Sequence, residues 1–141
     1  NMIRFKGIPF NKFIPGIIWF FVVLFLITMP KDDIPEPEGW WWWLKKIYLD
    51  KWIHVGIFAV LAFLFMLPFV KADLPGKTKW FYLWLVCFGV VLWGIATEII
   101  QLYVPGRSCD ILDIIADSLG AFIALYFCKR QYSKKINEKT A

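Results

Sequence analysis

Four apolar runs, at residues 13–29, 52–70, 80–104 and 111–128, constrain this chain more than anything else in it. Each is near or above the length a helix needs to cross about 30 Å of hydrocarbon, roughly 20 residues with a lower limit near 17. Backbone polar groups in lipid must be satisfied internally, which leaves only helices and closed barrels. Runs this long, without period-2 alternation, select helices. Composition agrees: 60% hydrophobic, 20% aromatic and a mean hydropathy of +0.59 lie far from soluble averages. The expectation is an all-α membrane protein, a compact bundle of four transmembrane helices. It forms a single domain over 1–141 with a polar tail at 129–141, expected to fray.

The connections carry their own signals. Asn1, ahead of Met2, reads as a residue added in expression and is set aside. Pro15 and Gly16 sit where a helix start tolerates them. No small-residue cleavage site follows Met29, so the first run reads as a span and not as a signal peptide. The loop from Pro30 to Lys51 opens on acids and prolines and then carries four consecutive tryptophans, Trp40 to Trp43. Indoles favour the headgroup layer, so an interfacial anchor is the plain reading and a stacking platform for a sugar or acyl chain the functional one. Pro75-Gly76 and Pro105-Gly106 mark tight turns. The net charge of +5 and pI of about 9.2 would point a soluble chain towards nucleic acid. Here the basic residues flank apolar runs, which fits anionic lipid and no nucleic-acid partner. Eleven Lys and Arg fall on the side of the termini and five on the other, which places both termini in the cytoplasm.

Ionisable groups inside or beside apolar sequence are the candidate site. At about 100° per residue, Asp110, Asp113, Asp117, Gly120 and Ala124 share one stripe of the fourth helix. Cys87, Gly94, Glu98 and Gln101 share one of the third. Small residues let helices approach, and polar ones beside them then face protein, so two helices are expected to meet at a polar seam. Asp50, Lys51 and His54 open the second helix, and four helices bring them to the same membrane face as Glu98, Gln101 and Arg107. Plain readings compete. Asp110 or Asp113 fits a helix cap, Arg107 and Lys51 fit snorkelling to the interface, and His54 fits a hydrogen-bonded structural histidine. Glu98 and Asp117 lie too deep in apolar sequence for capping, and such residues are functional candidates by default.

Arg and Lys bind phosphate oxygens, carboxylates hold a hard divalent cation, and His or Glu carries protons. No P-loop, HExxH or GxSxG motif is present. Three cysteines without CxxC spacing give neither a disulfide framework nor a thiolate site, and Cys109 alone reads as an exposed thiol. The inventory suits the headgroup of a phosphate-bearing envelope lipid or lipid-linked precursor. Lys51, Gln101, Arg107 and Asp110 would bind it. Asp50, His54, Glu98, Asp113 and Asp117 would supply catalysis, His54 as acid-base or nucleophile oriented by Asp50. Glu98, Asp113 and Asp117 form the expected metal set, with a divalent cation as cofactor. As an enzyme the chain would be an intramembrane hydrolase or transferase acting on a lipid phosphate. The alternative is non-enzymatic, a proton-coupled transporter or lipid-binding module, and four spans would then favour a homo-oligomer. A third reading holds that the seam only locks helices together.

Asp50-Lys51-x-x-His54 with Phe58, Glu98-x-x-Gln101, Pro105-Gly106-Arg107, Asp110, Asp113 and Gly120 resemble the pattern of the VanZ-like family over about Asp50 to Gly120. That resemblance implies a multi-pass protein of the bacterial cytoplasmic (inner) membrane, linked through the family's named member to teicoplanin and other lipoglycopeptide resistance. It implies no settled activity. Where the family commonly has Asn before a small hydroxyl residue, this chain has Asp117-Ser118, an extra acid that would strengthen a cation or proton site.

Overall fold

The computed structural model describes residues 4–5, 7–30 and 49–140, with side chains described over 7–30 and 49–132. The tryptophan run Trp40 to Trp43 lies outside the described residues. Four long helices dominate: α1 (Ile14–Thr28), α2 (Leu49–Lys71), α3 (Gly76–Gln101) and α4 (Ile111–Thr140). All four are long and apolar enough to cross a membrane, the first when α1 is taken with the 3-10 turn before it, Phe10–Thr28. A two-stranded antiparallel hairpin, β1 (Arg4–Phe5) and β2 (Ile8–Pro9), pairs Phe5 with Ile8 and leads through the 3-10 turn Phe10–Phe13 into α1. No strand signal marks this stretch beyond Gly7, which takes a φ of 83°.

α2, α3 and α4 pack mutually, and α1 leans on α2 and α3 from outside. The Trp19 indole donates to the Ile57 carbonyl at 3.0 Å, and Phe20 packs on Trp93 with ring centroids 4.4 Å apart. The core holds Phe58, Leu61, Met66, Leu83, Ala121 and Ala124, each almost fully buried. The opposite helix faces are apolar and exposed, with Phe25 at 65%, Phe88 at 62% and Tyr126 at 61%. A surface of this kind belongs in hydrocarbon, not in water.

Two glycines set the helix spacing. A Cβ on Gly120 would run into the Val55 carbonyl and come within 2.8 Å of the Ala59 nitrogen, so α4 presses backbone to backbone against α2. A Cβ on Gly94 would lie 3.0 Å from the Asp117 Cβ, so α3 gives up side-chain volume where α4 brings an acid. The seam therefore joins three helices where the sequence pattern suggested two.

Helix ends differ from the apolar runs in an instructive way. α3 starts at Gly76, directly after Pro75, because Lys77 to Lys79 are compatible with a helix although they are polar. It ends at Gln101 as Leu102, Tyr103 and Val104 donate to carbonyls three residues back, tightening the chain into the Pro105-Gly106 turn. α4 runs on past Lys129 to Thr140, through a segment that contains no Pro or Gly to stop it.

Candidate functional site

The site is at the end of the bundle where α2 and α4 begin and α3 ends. Gly106 adopts a φ of 74° and the Arg107 N–H donates to the Val104 carbonyl at 3.1 Å. Those features make a turn with Pro at its second position and a left-handed Gly at its third, the type II pattern. The turn delivers Asp110 to the head of α4. The Asp110 Oδ1 accepts from the Leu112 N–H at 2.9 Å, and its carbonyl accepts from the Asp113 N–H at 3.0 Å. That is helix capping, and of the two candidates for that role Asp110 fills it.

Asp110 has a second partner. The Lys51 ammonium donates to Asp110 Oδ2 at 2.5 Å and to Asp113 Oδ1 at 2.6 Å, and lies 3.2 Å from Asp50 Oδ2. One cation thus gathers three carboxylates from α2, the α3–α4 loop and α4. The Lys51 hydrogen bond, with the Leu112 N–H, holds the Asp110 carboxyl below the usual carboxylate range.

Deeper in, His54 Nδ1 lies 2.9 Å from Asp117 Oδ1, and its Nε2 lies 3.9 Å from Asp113 Oδ1. The histidine's partner is therefore Asp117, one helix across. Asp50, the expected orienting group, is on the same helix face but 64% exposed and pairs with Lys51. Glu98 is fully buried, and its Oε2 accepts from the Asp110 N–H at 2.8 Å. Gln101, one turn further along α3, is buried at 3%. Arg107 sits at the rim, where its Nε donates to the Met29 carbonyl over a long 3.4 Å; it makes no ion pair with the described residues.

The side chains form a gradient. Exposure falls from 39% at Asp110 through 16% at Lys51, 15% at His54 and 12% at Asp113 to 0% at Asp117. Below Asp117 the core turns apolar, with Leu61, Met66, Leu83, Val90 and Ala121 buried. The polar cluster thus reaches the surface at Asp110 and closes inward on Asp117, a polar pit in the sense of graded exposure. All nine candidates from the sequence lie at this end, and hydrogen bonds and ion pairs join Asp50, Lys51, His54, Glu98, Asp110, Asp113 and Asp117; the pairing among them, and the role of Gly94 in making room for Asp117, are what the sequence did not reveal.

A family model described as VanZ/LLP1 matches residues 10–132. No curated protein matches the chain, and no solved structure does.

Proposed function

The chain belongs to the VanZ/LLP1 family of membrane proteins, and from that premise we propose that its polar pit receives the phosphate headgroup of an envelope lipid or lipid-linked precursor. The observation that carries this reading is the exposure gradient, with Asp50, Asp110 and the half-buried Arg107 at the mouth, Lys51 just inside, and buried acid and imidazole below. Arg107 at the rim, without a carboxylate partner among the described residues, is the first cation an incoming headgroup meets. A guanidinium suits phosphate oxygens because its donors are arranged as a fork. Lys51 lies just inside, and His54, held by Asp117 at 2.9 Å, is placed to move a proton to or from a bound phosphate ester. With the termini in the cytoplasm, the pit faces the outer leaflet of a bacterial inner membrane. There a phosphate-bearing precursor and the target of a lipoglycopeptide are both within reach. A resistance role follows from that placement and from the VanZ resemblance.

The proton-transport alternative needs a polar path across the bundle. The apolar core below Asp117 favours binding and turnover over it.

Lipid mass spectrometry of the purified protein and of the host membranes tests the reading. Wild type is expected to co-purify with a phosphate-bearing lipid, and Arg107→Ala to retain at least about tenfold less of it, the loss of one charge-assisted contact worth roughly 1.4 kcal/mol or more. A lipid species altered by wild type and unaltered by folded His54→Ala makes the site catalytic. Equal retention in wild type and Arg107→Ala would sink headgroup recognition at this end. A pH-driven flux in proteoliposomes lost in Glu98→Gln, without lipid change, would move the assignment to transport.

A further inference from the structure

The innermost part of the pit has an unsolved electrostatic problem. Glu98 and Asp117 are each 0% exposed, and each leaves one carboxylate oxygen, Glu98 Oε1 and Asp117 Oδ2, without a hydrogen-bond partner among the described residues. Buried polar atoms are nearly always paired, and an unpaired buried carboxylate oxygen is expensive. The Asp117 Oδ2 points towards Gly94, where a Cβ would lie 3.1 Å from it, one helical turn before Glu98. The cluster as a whole also holds more carboxylates (Asp50, Glu98, Asp110, Asp113, Asp117) than cations (Lys51, His54, Arg107), and a phosphate would add to the excess.

We propose that His54, Glu98 and Asp117, one from each of α2, α3 and α4, bind a divalent transition-metal ion, with zinc the best fit. One donor atom from each residue lies within 4.8 Å of the others. Ligands about 2.0–2.2 Å from a tetrahedral zinc stand about 3.3 Å apart, a difference that side-chain rotation closes. An imidazole nitrogen with two carboxylate oxygens suits zinc and its neighbours better than magnesium or calcium, which prefer oxygen alone. Three protein ligands leave a coordination position for water or a phosphate oxygen, the arrangement of catalytic zinc sites. The ion would neutralise both carboxylates and polarise the phosphate, and with the metal bound His54 would serve as a ligand in place of carrying a proton. This set replaces the all-oxygen set Glu98, Asp113 and Asp117 expected from sequence, because Asp113 is already bonded to Lys51 and His54 stands in its place. The proposal rests on the reading that this end of the bundle is the working site, but metal content is measurable whether or not a lipid binds.

The experiment is elemental analysis of protein purified in detergent, stripped with chelator and reloaded with zinc, alongside the visible absorption spectrum of the cobalt-loaded form. Wild type is expected to hold about one ion per chain and to give a cobalt spectrum of low-symmetry nitrogen and oxygen coordination. His54→Ala, Glu98→Gln and Asp117→Asn should each lose it at least about tenfold in affinity, while Asp113→Asn keeps it. The wild-type metal content and cobalt spectrum test the proposal even where a variant fails to fold. Absence of stoichiometric metal in folded wild type overturns the proposal, and a proton shared between the two carboxyls then satisfies them. Loss of the ion in Asp113→Asn with retention in His54→Ala also overturns it, in favour of the all-oxygen set. Metal bound with no lipid retained would separate this site from the headgroup reading and leave it standing.

Discussion

Asp110 performs two tasks with one carboxylate, capping α4 with Oδ1 and accepting from Lys51 with Oδ2. Because its pKa is lowered in the folded protein, the stability it contributes is complete above the ordinary carboxylate pKa. That contribution is lost as pH falls through the depressed value. Asp110→Asn should keep the cap, since Asn caps as well as Asp, and lose the charge pair. Melting curves in detergent are therefore expected to show a shallower loss of stability on acidification in Asp110→Asn than in wild type. Parallel acid limbs would mean the pair adds nothing to the fold. At this scale the sequence was informative about which residues matter and poor on who partners whom. Glu98 and Asp117 stood out because apolar neighbours surround them. That His54 takes Asp117 and not Asp50 depends on the helix-to-helix distance, which no spacing within one helix encodes.

Among the elements, α2 and α4 are coupled most closely, and Gly120 is the reason. Gly120→Ala places a methyl against the α2 backbone, which cannot rotate away, and is expected to cost about 1–3 kcal/mol, read as a lowered melting temperature. For Gly94→Ala the three atoms nearest the new Cβ all belong to the Asp117 side chain. This substitution should cost less stability while turning Asp117 out of the seam, so that zinc and lipid retention fall with little change in melting. The reverse pattern would show that Gly94 sets the packing and Gly120 does not. Hydropathy located all four helices but marked the apolar stretch of each, not its hydrogen-bonded extent. This is why α3 begins four residues before its expected start at residue 80 and α4 continues past its expected end at 128. Helix formation follows backbone propensity, whereas the apolar runs follow the solvent.

For the whole molecule, orientation decides which side of the membrane the pit serves, and the chain carries its own reporter. Cys109 is exposed beside the pit, while Cys87 and Cys128 are buried. A membrane-impermeant thiol reagent added to intact cells is expected to label wild type and not Cys109→Ser. Labelling only after the cells are opened would place the pit in the cytoplasm and reverse the topology drawn from the Lys and Arg distribution. The four-helix architecture was legible in the sequence because the bilayer allows so few alternatives; the hairpin at β1 and β2 was not, since strands of two residues carry no periodicity.

The capping bond between Glu98 and Asp110 also bears on how the protein is made. Glu98 enters the membrane with α3, yet its hydrogen bond comes from the Asp110 N–H, and its buried neighbour Asp117 arrives only with α4. Until the turn before α4 is in place, Glu98 lacks that hydrogen bond. α4 and the turn before it thus complete the polar partners of a helix that precedes them in the chain.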